Sequence, residues 1–146
     1  PVQTDSVDYT LVRVPGGYQA MARAVYVNRT SRAMYFARCT ADHNGPMFHL
    51  SRASSAATIS VVGDAWACVG GVPTGRLPAG DSVIVHVGLG SWDSPHADPP
   101  ITMLMRTGVF RVVLQLCRDY AADSSSCRGL PIEQRWSNPF RVNPPH

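Results

Sequence analysis

Hydrophobic and polar residues alternate along this chain in short bursts, separated by residues that favour turns. Tyr18 to Asn28 is the clearest case. Tyr18, Ala20, Ala22, Ala24 and Tyr26 fall on one face, and Gln19, Met21, Arg23, Val25 and Val27 on the other. A period of two marks a strand with one buried face. Val7 to Val14 alternates more loosely and stops at Pro15-Gly16-Gly17, so the two runs predict a hairpin. Further strands are expected over Ala33 to Cys39, Met47 to Arg52, Ser60 to Val69, Ser82 to Leu89 and Val109 to Arg118. In Ser82 to Leu89 the valines at 83, 85 and 87 should face inward, with Ile84 and His86 on the other side. Ile101 to Arg106 reads as a short strand or one helical turn. Arg135 to Asn143 predicts a closing strand, with Pro139 marking an edge position or a break.

The connections are polar or rich in glycine and proline: Asn28 to Arg32, Thr40 to Pro46, Ala53 to Ser60, Gly70 to Gly80 and Gly90 to Pro100. No helix longer than two turns is predicted. About seven to nine short strands with regularly spaced turns argue for an all-β antiparallel sandwich, with a barrel as the second choice. A chain of 146 residues fits one domain over 1–146 with short Pro-rich ends. No apolar run approaches the ~20 residues that a membrane-spanning helix needs.

Charge changes this picture little. All thirteen basic residues are arginines, against ten acids, for a net charge of +3. They are spread from Arg13 to Arg141 without a run, whereas a nucleic-acid binder shows a stripe or cluster. The cysteines say more. Cys39, Cys68, Cys117 and Cys127 include no C-x-x-C pair, which speaks against zinc and thioredoxin-type sites. An even count on a loop-rich chain predicts disulfides and an oxidising compartment. Three pairings are possible. The favoured one joins Cys39 to Cys68 and Cys117 to Cys127, each bridge contributing roughly 3 kcal/mol. The start at Pro1 fits a trimmed, exported protein, and Asn28-Arg29-Thr30 is a formal glycosylation sequon.

Several segments together resemble bacterial immunoglobulin-like domains. They are Tyr35-Phe36-Ala37-Arg38-Cys39, Trp66-Ala67-Cys68, Leu77-Pro78-Ala79-Gly80-Asp81-Ser82, Gly108-Val109-Phe110-Arg111 and Ser137-Asn138-Pro139-Phe140-Arg141-Val142. The resemblance implies an immunoglobulin-like sandwich of periplasmic or extracellular location, stapled by disulfides. The turn-and-strand pattern is also similar to Bacillus-type proteinase-inhibitor domains, although no reactive loop can be carried over residue by residue. Phe110 stands where antibody-type domains place their corner tyrosine.

No set of catalytic residues emerges. Gly88-Leu89-Gly90-Ser91-Trp92 lacks the spacing of a nucleophile elbow. Asp42, His43, His49, His86, His96, Asp98 and His146 form no paired ligand motif, so neither metal nor cofactor is expected. Gly70 to Arg76 has glycines but no lysine to hold a phosphate. Tryptophan and arginine are enriched at binding hot spots, which singles out Trp92 with Pro95 and His96, and Arg135 with Trp136, as partner-binding candidates. Trp66 is assigned to the core. The expected function is a non-catalytic protein-interaction module, an accessory subunit of a larger envelope complex. A proteinase inhibitor acting through Ser91 to Pro100 and a carbohydrate-binding domain using Trp92 and Trp136 are the alternatives.

Overall fold

The computed structural model describes residues 1–37, 45–53, 74–94, 101–102, 107–120 and 127–146. These residues form an all-β fold of three sheets with one short helix. The strand expected over 60–69 and the core assignment of Trp66 lie outside them.

The first sheet is built on two long strands, β4 (Gly17–Val27) and β8 (Ser82–Ser94), paired antiparallel over their shared length. Their faces follow the sequence pattern. Ala22, Ala24, Tyr26, Val83, Val85 and Val87 are buried, while Met21, Arg23, Ile84 and His86 face out. Each of the larger inward side chains contributes about 1.5–3 kcal/mol. The far edge of β8 carries β9 (Ile101–Thr102). The other edge of β4 is shared by β3 (Val12–Val14) at one end and β1 (Val2–Thr4) at the other. The turn between β3 and β4 centres on Pro15-Gly16, with Gly16 at φ +84°, which suits proline then glycine in a type II turn.

Between β1 and β3, Asp5 stands in for the missing strand. Its N–H donates to the Arg23 carbonyl at 2.9 Å, and its carboxylate accepts the Arg23 N–H at 2.9 Å. The carboxylate also accepts the Tyr9 hydroxyl. The Tyr9 bond, then the Arg23 N–H, holds the Asp5 carboxyl below its ordinary range. Burial and the bond to Asp5 push the Tyr9 phenol up to about 12.

The second sheet runs β2 (Asp8–Thr10), β13 (Phe140–Asn143), β10 (Gly108–Leu114), β6 (Phe48–Arg52). The third runs β12 (Cys127–Gly129), β11 (Cys117–Tyr120), β5 (Met34–Ala37), β7 (Thr74–Leu77). Met47 links these two sheets: its N–H donates to the Ala37 carbonyl at 3.3 Å, and its carbonyl accepts the Gln115 N–H at 2.8 Å. Side chains from all three sheets meet in one core, with Phe110, Phe140, Leu114 and Leu116 among the largest fully buried.

The structure corrects the sequence reading in six places. Val7 to Val14 is two strands in different sheets, because Leu11 turns fully into the core between them. Val109 to Arg118 likewise breaks at Gln115-Leu116, where the buried Leu116 marks the passage from the second sheet to the third. β7 lies in what reads as a Gly/Pro loop. Its Gly75 is needed because a side chain there would overlap the Phe36 ring. β8 runs on to Ser94 through a predicted loop, and Gly90 permits this because a Cβ there would strike the Tyr18 carbonyl oxygen. The fold is not wholly antiparallel either, since β13 pairs with β2 in parallel. The last strand starts only after Pro139, and Arg135 instead ends α1 (Ile132–Arg135).

Asn28 is fully buried and fully engaged. Its Nδ2 donates to the carbonyls of Arg32, Leu77 and Pro78 at 2.8, 3.1 and 3.0 Å. Its Oδ1 accepts the Thr30 N–H and hydroxyl at 3.1 and 2.7 Å. Its N–H donates to the Asp81 carbonyl and its carbonyl accepts the Gly80 N–H. The sequon at Asn28 is thus closed to a glycan in the folded chain, because Nδ2 sits inside the structure with its hydrogens in use.

Two outcomes follow for stability. Asn28→Ala should cost about 3 kcal/mol, because it leaves buried carbonyls unpaired. Asn28→Asp should cost at least as much by setting an oxygen against those carbonyls; chemical denaturation measures both. Asp5 has a folded pKa below its unfolded value, so its contribution is present above the ordinary carboxylate range and fades as pH falls through the folded value. Asp5→Asn should cost about 1 kcal/mol at neutral pH, modest because Asp5 is exposed. Denaturation at stepped pH should show the gap from wild type closing below about pH 4.

Candidate functional site

The partner-binding candidates fall at two ends of the first sheet. The Trp92 backbone pairs with Gly17 at one end of β4. The Trp136 carbonyl accepts the N–H of Val2, which pairs with Tyr26 near the other end. The two register points are separated by about 30 Å at the usual rise per residue. The tryptophans therefore do not form one platform for a sugar ring. The side chain of Trp92, together with Pro95 and His96, lies outside the described residues.

Arg135 and Trp136 are tied into the framework. The Arg135 guanidinium donates to the Leu130 carbonyl at 3.0 Å and to the Leu114 carbonyl at 3.4 Å. Trp136 bridges to Val113, and the Arg111 guanidinium covers its ring at 4.5 Å. Arg111 in turn donates to the Ser137 carbonyl at 2.7 Å. Beside Arg135, on β6, sits His49, whose Nε2 is buried without a partner. Burial, then the positive charge of Arg135, lowers the His49 pKa, so the imidazole is neutral at neutral pH.

Of the cysteines, Cys39 and Cys68 lie outside the described residues. Cys117 and Cys127 sit on neighbouring strands of one hairpin, Cys117 opposite Gly129 and Cys127 opposite Tyr120. Among the described residues no cysteine is free, and no group of three or more metal-ligating side chains gathers.

The end of the domain that carries α1 also holds a cleft of about 450 Å³ that the sequence did not reveal. The turn after β4 supplies Thr30, Ser31 and Arg32, β11 supplies Arg118 and Asp119, and α1 supplies Gln134. Asn28 fixes the Arg32 side of the cleft, since the Arg32 carbonyl accepts both the Asn28 amide and the Thr30 hydroxyl. A smaller cleft at the opposite end lies between Arg13, Tyr18 and His146. There Arg13 is already engaged, stacked on the Tyr18 ring at 4.9 Å and bonded to its hydroxyl.

The outer face of the first sheet is a third feature. Met21 is 50% exposed, Ile84 41% and Val27 37%. Arg23 and His86 form a paired row between Met21 and Ile84. Gly88 lies opposite Met21 with open space above it, leaving a dip in the surface.

Comparison with models of known protein families finds none that matches. A search of curated proteins finds no significant match either. No helix among the described residues is long and apolar enough to cross a membrane.

Proposed function

We propose that this chain is a bacterial immunoglobulin-like β-sandwich, exported from the cytoplasm. In this reading it is a non-catalytic accessory subunit that binds a partner protein of the cell envelope. The observation that carries the proposal is the outer face of β4 and β8. Large apolar side chains stand exposed there on a rigid sheet, interrupted by arginine and histidine. Exposed apolar side chains on one sheet face, with arginine and histidine between them, suit contact with another protein. The long pairing of β4 with β8 supports the reading, because it pre-organises the face and lowers the ordering cost of binding.

In this reading the chain works in an oxidising compartment, where its disulfides form and persist. On the same reading Cys117 and Cys127 form one bridge, and Cys39 and Cys68 the other. Peptide mapping of the non-reduced chain should recover these two links. A link from Cys117 to Cys39 or Cys68 would overturn the pairing.

A photo-reactive residue at Met21 or Ile84 tests the function in native envelopes. The expected result is one stoichiometric adduct from both positions and none from the exposed Glu133. A chain recovered alone from all three positions would sink the reading. An adduct from Glu133 only would move the contact away from this face.

A further inference from the structure

We infer that the cleft between the Asn28 turn and β11 binds a monocarboxylate carried on a small apolar body. The two exposed guanidinium groups of Arg32 and Arg118 line one cleft, and neither forms a hydrogen bond or ion pair with another described residue. A planar guanidinium fork matches the two oxygens of a carboxylate. The backbone that carries Arg32 is held from below by a buried asparagine, so this arginine is displayed from a fixed turn. Arg118 is displayed from the register break of β11, next to Cys117, which pairs with Gly129 on one side and Tyr35 on the other.

Formal charge selects among anions. Among the described residues, Arg32, Arg118 and Asp119 are the ionisable side chains lining the cleft, and together they sum to +1. That balance suits one negative charge better than the two of a phosphate monoester. The walls select the rest of the ligand. Met34 and Leu130, each 4% exposed, add a small apolar part to the lining, and Gln134 and Ser31 offer neutral polar groups. A cavity of about 450 Å³ is within the ordinary range for small-molecule sites. It has room for an apolar body beyond the carboxylate itself. Such a ligand is either a free organic acid or the C-terminal residue of a peptide. Both carry the same chemistry.

The test titrates the ¹⁵N-labelled chain with N-acetyl-leucine, N-acetyl-leucine amide, an acetylated tetrapeptide ending in leucine, and inorganic phosphate. N-acetyl-leucine should shift the backbone signals of Arg32, Arg118 and Gln134 saturably, and the amide should not. Tighter binding of the tetrapeptide supports a chain terminus as the source, and weaker binding supports a free acid. Arg32→Gln and Arg118→Gln should each weaken binding about tenfold. Arg128→Gln, an exposed arginine outside the cleft, should leave binding unchanged. Equal binding of acid and amide, tighter binding of phosphate, or binding unaltered in both cleft variants overturns the inference. None of these outcomes bears on the outer face of β4 and β8, so this site and the protein contact stand or fall separately.

Discussion

The fully buried amide of Asn28 is the constraint on which the arrangement of this domain depends. One side chain joins the end of β4 to the turn that leads into β8 and to the segment that leads into β5. It thereby couples the first sheet to the third. A buried amide of this kind is costly unless each of its groups is paired. Asn28 meets that condition with three carbonyls from two separate places, Arg32 and Leu77-Pro78, and with the Thr30 N–H and hydroxyl. Apolar burial pulls the sheets together without direction. The asparagine supplies the direction, because only one mutual position of the three segments satisfies it.

Passage between sheets is handled by buried leucines. Leu11 separates β2 from β3, and Leu116 separates β10 from β11. At each point the chain stops pairing in one sheet, drives a large side chain into the common core and begins pairing in another. The backbone groups freed at the switch are still satisfied: the Leu11 N–H donates to the Asn143 carbonyl, and the Leu116 carbonyl accepts the Leu130 N–H. Changing sheets in this way lets one short chain wrap a core shared by all three sheets.

Legibility in the sequence tracks how local the deciding interaction is. The faces of β4 and the inward valines of β8 are visible because a period of two is written in adjacent residues. The breaks at Leu11 and Leu116 are not, since an apolar residue inside an apolar run looks like continuation until its partners are known. Gly75 and Gly90 read as loop residues, yet each serves a strand that must approach Phe36 or Tyr18 closely. The same blindness hides the cleft. Arg32 and Arg118 lie far apart in the chain, and only the pairing of β11 with β5 brings them to one end of the domain. Arg135 and Trp136 were visible as residue types, but their framework role rests on carbonyls of Leu130 and Leu114 and on a covering arginine.

Native-state hydrogen exchange tests the coupling role of Asn28 most directly. The N–H groups of Asn28, Thr30 and Gly80 all bond within the same junction. If that junction holds the first and third sheets as one cooperative unit, these three amides exchange only through global unfolding, at the free energy of the central amides of β4 and β8. Exchange of Thr30 and Gly80 through a low-energy local opening, while β4 and β8 stay protected, would contradict the account and show that the third sheet is attached by apolar contact alone.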